Sequence, residues 1–373
     1  MFKIKVLLIT VLSPILLILY LSYLGMGLTY DNANIRYQEN HLEYLKSQYY
    51  TDSYIPCDEQ KLADFNIEQA YSDGTKLNEL AVIGTHNSYQ TLTYFPKRAL
   101  DIILDYTTSS NRYNKSNFEM DTLTQQLEYG VRKLELGIET VDDEEISFIV
   151  THDPLTDNVT SCYDFGKALE EIAMWSDNNP NHLPVYLLIE PKGDVPNIKN
   201  LKNFSLQYAL EFDNVLRDVL GDRLLTPAIA MGEYESLAEM RSADSWPTLK
   251  DCAGKIIVLL HPCDVTDDYI EVDLSIKTQA MFPVLNLEEA DTSYGSYILV
   301  NDPFEAAEYR ETASEKNLIV RTRADAYPSF SDERYAATDS CGAQIVTTDY
   351  PPRTVREEQH TFTFNGYMFK LLK

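Results

Sequence analysis

Residues Ala81–Gln90 read AVIGTHNSYQ: an apolar run that meets Gly84 and then opens into Thr85, His86, Asn87 and Ser88. Apolar residues that end in polar, chemically able ones predict a buried strand delivering its last side chains to a pocket. His86 brings a group that titrates near neutrality, and Asn87 brings a carbonyl oxygen suited to a hard cation. Three later stretches repeat the format: LELGIET around Glu135, FIVTHDP around His152, and PVYLLIEPK around Glu190. Working outward, strand-like runs occur at Leu80–Thr85, Val131–Thr140, Ser147–His152, Pro184–Glu190, Lys255–His261, Met281–Asn286, Asn317–Thr322 and Ala343–Thr348. Most are rich in Val, Ile and Leu on both faces, as in a parallel sheet covered on both sides.

Helical spacing appears between several of them. Leu123 and Leu127 stand one turn apart in Met120–Tyr129, which stops at Gly130. Tyr163–Trp175, Asn203–Leu220 and the shorter Glu235–Arg241 carry similar patterns. Strands alternating with helices predict an α/β chain folded as a TIM-type (β/α)8 barrel. The pattern is weakest over Asp264–Asp302, where helices are indistinct. The aromatic-rich stretch Gln90–Glu119 reads as a long loop, either a lid or binding surface or a packed insertion.

The chain has 373 residues and a formal net charge of −27. That balance argues against a nucleic-acid partner, which needs a basic face, and favours divalent cations. Lys3 and Lys5 precede an uncharged, Leu/Ile-rich run from Val6 to Tyr30. It is long enough to cross a bilayer and lacks a clean small-residue cleavage site. Residues 1–30 are therefore expected to be a signal anchor, or else a signal peptide, with the rest extracytoplasmic. Residues 31–76 read as a polar stalk leading into a few packed residues, and 77–373 as the barrel. In an oxidising space the five cysteines predict one or two disulfides, but Cys252 and Cys263 flank one strand and cannot pair. Asn114, Asn158 and Asn203 begin Asn-x-Ser/Thr sequons, which mark surface loops wherever they are glycosylated. His41, His182 and His360 lie in polar contexts and are expected at the surface.

In such a barrel chemistry gathers where strands end. That rule collects His86, Asn87, Glu135, His152, Asp153, Glu190 and Lys192 on one rim. The oxygens suit Ca²⁺ better than zinc, with Mg²⁺ the weaker candidate, and no cysteine accompanies them. Two histidines beside a cation match a phosphoryl displacement: one assists attack, the other protonates the leaving alkoxide. Arg321, Arg323 and Asp325 share one face, and Asp349 ends the last run. The arginines suit a bidentate phosphate contact, or equally a salt-bridge network closing the barrel. His261 ends another run and is a weaker candidate for the same rim.

GTHNSYQ, QQLEYGVRKLELGIE, THDP and PVYLLIEPK together resemble the catalytic region of the calcium-dependent phosphatidylinositol-specific phospholipases C. The resemblance is nearer to the secreted microbial branch than to the X region of the eukaryotic enzymes. DRLLTP, WPTLKDCAGKIIVLL, IVRTRADA and GAQIVTTDYP are similar as well, so it runs from about Leu77 to Pro351. It implies a barrel that cleaves a phosphoinositide at a membrane surface to diacylglycerol and a (cyclic) inositol phosphate. By motif, His86 is similar to the histidine supporting the phosphoryl group, and His152 to the general acid. Asn87, Glu135 and Glu190 are similar to calcium ligands, with Glu135 also a candidate base; Lys192, Arg321 and Arg323 remain as substrate contacts. One departure stands out: the family's Leu-Glu-Leu-Asp is Leu134-Glu135-Leu136-Gly137 here. Glu139 lies on the same face by strand period and is the candidate to replace the missing carboxylate. Two other readings stay open: a glycerophosphodiester phosphodiesterase, whose His-Arg-Gly opening is absent, and a catalytically silent, membrane-tethered lipid-binding protein.

Overall fold

A computed structural model describes residues 31–91, 119–154, 157–193, 200–325, 331–352 and 360–372, with isolated positions 14 and 17. In chain order its first strands are β1 (Leu80–Thr85), β2 (Lys133–Asp142), β3 (Ile146–Val150), β4 (Val185–Pro191) and β5 (Leu201–Lys202). Then come β6 (Ile256–Leu260), β7 (Phe282–Leu285), β8 (Tyr297–Leu299), β9 (Ile319–Arg323), β10 (Ile345–Thr348) and β11 (Phe369–Leu371). Eight of them run parallel in the order β1–β10–β9–β8–β7–β6–β4–β2, and β2 pairs back onto β1. The result is the closed TIM-type barrel the strand pattern predicts.

Closure rests on a single register, Gly84 beside Lys133. A Cβ at Gly84 would lie 2.4 Å from the Lys133 Cβ and 2.7 Å from its carbonyl oxygen, so only glycine lets β1 approach β2 this closely. Earlier in β1, Leu80–Val82 pair antiparallel with β11, which covers an edge that would otherwise be exposed. Helices Phe165–Asn178 and Leu206–Leu220 pack outside, with Phe165 stacked on Phe212 at 4.4 Å between ring centres. Asp164 caps the first of these by accepting from the Lys167 N–H at 2.8 Å.

Two strand assignments change. Ser147–His152, expected as a barrel strand, is the hairpin strand β3, antiparallel to β2 with Ile138 opposite Val150. Only residues 143–145 join the two, whereas a parallel crossover needs a dozen or more residues. Its place among the eight is taken by β8, whose three residues are too few to show periodicity. Helices Leu123–Glu128, Phe165–Asn178, Leu206–Leu220 and Leu237–Ser242 lie where helical spacing was read; Thr266–Glu271 fills part of the indistinct region, and Pro303–Glu308, Arg310–Glu315 and Asp332–Ser340 are helices that the pattern did not announce.

The stretch 31–76 is more closely packed than a stalk ending in a few anchored residues. Backbone over 31–44 is helical, Asn34 and Gln38 are buried, and Gln38 donates to the Asp164 carbonyl at 2.9 Å. Glu59 pairs with the wholly buried Arg132 beneath the barrel and accepts the Leu183 N–H at 2.6 Å. The Arg132 guanidinium lies 4.6 Å from the centre of the Trp175 ring. His182, expected at the surface, is buried beside Trp175 at 4.7 Å between rings; burial and nearby Arg132 lower its pKa to about 3. All five cysteines are thiols, so the expected disulfides do not form; Cys162, Cys252 and Cys341 are packed as small apolar side chains. Asn158 is buried rather than on a surface loop, whereas Asn203 is exposed; Asn114 lies outside the described residues. Most of the Gln90–Glu119 loop and the anchor or signal segment 1–30 also lie outside them, and among the described residues no helix is long and apolar enough to cross a membrane.

Candidate active site

The turn after β1 is held from three sides. Thr85 Oγ1 bonds Ser88 Oγ at 2.7 Å and Gln126 Oε1 at 2.7 Å, and Ser88 Oγ accepts the Glu135 N–H at 2.8 Å. Asn87 takes φ +45°, a left-handed conformation that asparagine tolerates better than most residues. The turn projects His86 over the C-terminal mouth. There His86 Nδ1 lies 3.0 Å from Asp349 Oδ1, and Nε2 lies 3.6 Å from Glu135 Oε1. Arg323 Nη2 donates to both Asp349 oxygens at 3.1 and 3.3 Å. Asp349 is fixed in turn because its N–H donates to Asp325 Oδ1 at 2.7 Å. Burial, then the Asp349 carboxylate beside it, raises Asp325 to about 7.

His152 follows β3. The Thr151 N–H donates to the Gly137 carbonyl at 3.1 Å, which brings this corner over the middle of β2. Its Nδ1 lies 3.1 Å from Asp157 Oδ2, and Gln90 Nε2 reaches both Asp157 oxygens at 3.3 Å. Both imidazoles thus rest Nδ1 on a buried carboxylate, and both are tied to the segment that follows β1. His152 is the more exposed, at 42% of its side chain against 22% for His86.

Inside the barrel, β2 turns Lys133, Glu135, Gly137 and Glu139 to one face. Lys133 Nζ pairs with Glu135 Oε2 and donates to the Thr85 carbonyl at 3.1 Å. Arg321 crosses from β9: Nη2 meets Glu135 Oε2 at 3.0 Å, Nε meets Thr347 Oγ1 at 3.1 Å, and Nη1 bonds Asn301. Burial alone would raise the Glu135 carboxyl, but Lys133, Arg321 and His86 hold it well below the usual range. The Arg321 guanidinium, expected as a substrate contact, is buried and directs its donors into this network. Further out, Lys192 Nζ pairs with Glu190 Oε2 at 2.5 Å. Glu139 is buried and its Oε2 has no hydrogen-bond partner among the described residues; burial pushes its carboxyl up to about 7, with Lys192 opposing that and Asp153 adding to it. His261 is half-buried, its Nδ1 3.0 Å from the Pro262 carbonyl oxygen, and burial lowers its pKa.

The strand pattern and the motifs brought His86, Glu135, Glu190 and Arg323 to one mouth, and His152 joins them from the hairpin. The sequence pattern does not mark Lys133, Asp157 or Tyr89 as site residues. Lys133 was legible as the inward residue two before Glu135. Asp157 and Tyr89 had no sequence signal, because only the fold sets them against His152 and Asn87.

A parallel eight-stranded barrel with paired imidazole–carboxylate groups and cationic side chains at its C-terminal mouth is architecture suited to phosphodiester chemistry. The profile of the family described as phosphoinositide phospholipase C, Ca²⁺-dependent, matches residues 75–147 and 144–371, and the chain belongs to that family. Among solved structures, a calcium-dependent phosphoinositol-specific phospholipase C from Pseudomonas sp. is similar, in apo form and in a myoinositol complex. In each the identity is 19% and the TM-score 0.55, over 80% of this chain and 96% of that one. The Ca²⁺-dependent phosphatidylinositol-specific phospholipase C of Streptomyces antibioticus matches at 18% identity and TM-score 0.52, over 74% of this chain and 95% of that one. No curated protein matches.

The described residues do not fit the calcium ion the family implies. Calcium wants six to eight oxygens, most of them not already neutralised. Here Lys133 and Arg321 occupy Glu135, Lys192 occupies Glu190, and the Asn87 Oδ1 accepts the Tyr89 hydroxyl at 3.3 Å. Among the described residues no three His, Cys, Asp or Glu side chains converge as around a metal ion. The unpartnered Glu139 oxygen is one candidate ligand atom, set against three ammonium or guanidinium groups.

Proposed function

We propose that the chain is a phosphodiesterase of the phospholipase C type that cleaves a phosphoinositide into diacylglycerol and a cyclic inositol phosphate. The observation that carries this reading is the pair of imidazoles, each with Nδ1 on a buried carboxylate, at 3.0 Å for His86–Asp349 and 3.1 Å for His152–Asp157. A carboxylate on Nδ1 fixes the tautomer and turns Nε2 toward the reacting atoms. In this reading His86 Nε2 takes the proton of the inositol hydroxyl as its oxygen bonds to phosphorus. His152 Nε2 gives a proton to the diacylglycerol oxygen as the P–O bond to it breaks. Arg323 and Lys192 face the phosphoryl oxygens. Glu135, held at low pKa by its cations, is a weak base; it serves instead to orient Arg321 and the His86 ring.

Residues 1–30 would keep the domain on the outer side of a membrane as anchor, or deliver it there as signal. That suits an acidic chain whose lipid surface offers little charge attraction. The test is hydrolysis of phosphatidylinositol vesicles against glycerophosphocholine, with His152→Ala as control. Turnover of the inositol lipid alone, lowered ~10²- to 10⁴-fold in the variant, is the expected result. Turnover of glycerophosphocholine alone favours a glycerophosphodiester phosphodiesterase. Vesicle binding with no turnover of either substrate favours a silent lipid-binding protein, a reading the loss of a carboxylate at Gly137 supports.

A further inference from the structure

We propose that Lys192 stands where the family places a divalent cation, so that this chain's chemistry runs on a fixed ammonium and needs no calcium. The inference rests on the phosphodiesterase reading for its activity, though not for its binding prediction. Three features meet at one point. Gly137 is the bare position on the inward face of β2, between Glu135 and Glu139. The space a side chain would fill there is taken: a Cβ would lie 2.6 Å from the Tyr89 hydroxyl, 2.7 Å from Lys192 Cε and 3.0 Å from the Thr151 carbonyl. A carboxylate at this position would require the ends of the Lys192 and Tyr89 side chains to leave their observed places and the Thr151 carbonyl to give.

Lys192 is held where it is. Its N–H donates to the Ile138 carbonyl at 2.9 Å, which pins the backbone beside β2, and its side chain is 18% exposed. Its ammonium meets Glu190 at 2.5 Å, so the carboxylate on the facing strand already has a cation. Tyr89, wholly buried, closes the opposite side and engages the amide oxygen of Asn87. A divalent ion entering here would have to displace an ammonium and a tyrosine hydroxyl, and would find one carboxylate fewer. Calcium affinity follows the number of charged oxygens and the rigidity of the cavity, and both terms oppose it. A lysine ammonium is a compact point charge that can stabilise charge on phosphoryl oxygens, as a metal ion does.

The experiment has a binding arm and a turnover arm. Terbium luminescence and calorimetric calcium titration of the full chain should show no saturable site up to about millimolar concentrations. A Tyr89→Phe/Gly137→Asp/Lys192→Ala variant, which removes both obstructions and supplies the carboxylate, should acquire one. Hydrolysis of phosphatidylinositol vesicles should be unchanged by chelator. Lys192→Met should lower it ~10²-fold or more, with its melting transition intact and no rescue by added calcium. Saturable calcium binding by the unaltered chain, or Lys192→Met with full turnover, overturns the inference. If no lipid is turned over under any condition, the phosphodiesterase reading falls, and the binding arm alone still decides whether Lys192 has displaced the cation.

Discussion

Replacing Asp349 by Asn tests whether the His86 imidazole depends on a carboxylate. Asp349 is 5% exposed, accepts from His86 at 3.0 Å and from Arg323 at 3.1 Å, and is held by its own N–H on Asp325. Asparagine keeps the volume but can satisfy only one neighbour. With its oxygen toward His86, its amide donors face the Arg323 guanidinium; with its oxygen toward Arg323, it drives His86 into the wrong tautomer. Once His86 has taken a proton, the loss is one of charge. Two unit charges about 4 Å apart attract by ~4 kcal/mol at an effective dielectric of 20. Arg323 shares the carboxylate, and His86 is 22% exposed to solvent, so the full value does not apply. About 2–3 kcal/mol should survive, which is a ~30- to 150-fold fall in kcat. The assay is initial-rate hydrolysis of phosphatidylinositol vesicles at saturating lipid, with KM expected to move little, because the effect develops with the transferred proton. A melting curve run in parallel shows that the barrel is intact. A kcat within about threefold of the parent, with the fold unchanged, would refute the assigned role of the His86–Asp349 pair.

Two further predictions concern stability. Arg321→Met leaves Glu135 with Lys133 and His86 and strips Thr347 and Asn301 of a partner, so it should destabilise by ~3–5 kcal/mol in urea unfolding; a loss below ~1 kcal/mol would show that the cross-barrel network is not integral to the fold. Asp213 is buried far from the mouth in sequence, accepting from Tyr269 at 2.8 Å and from the Ala280 N–H at 2.9 Å, and burial raises its pKa to about 6. Between the unfolded value near 4 and about 6 the native state binds the proton that the unfolded chain has lost. Stability therefore falls as pH rises through that window, by up to ~3 kcal/mol. Asp213→Asn should flatten this slope, seen as a gain in unfolding free energy at about pH 7.5 that is absent at about pH 4. Equal shifts at both pH values would count against the titration.

The parallel barrel was legible because buried strands such as Leu80–Thr85 and Ile256–Leu260 are apolar on both faces, and strand ends announce themselves where Val-Ile-Gly meets Thr-His-Asn. The inward period of β2 likewise puts Glu135, Gly137 and Glu139 on one face. What failed was local. The hairpin β3 carried a strand's composition, and composition holds no information on strand direction; a three-residue connection does. The three-residue β8 was below the length at which periodicity exists. The expected disulfides, and the surface placement of Asn158, failed because composition cannot say which side chain faces the core.

The order of chemistry-bearing residues along the chain determined the barrel, its family and the mouth at which His86 and Glu190 would meet. Tertiary structure alone decided which charges neutralise which. Lys133 and Arg321 reach Glu135 from positions 2 and 186 residues away, and Lys192 enters the gap left at Gly137. Pairing of that kind depends on distances of a few ångströms between side chains on different strands. Period and motif place a residue on a face, but only the closed sheet sets how far its charge lies from the next.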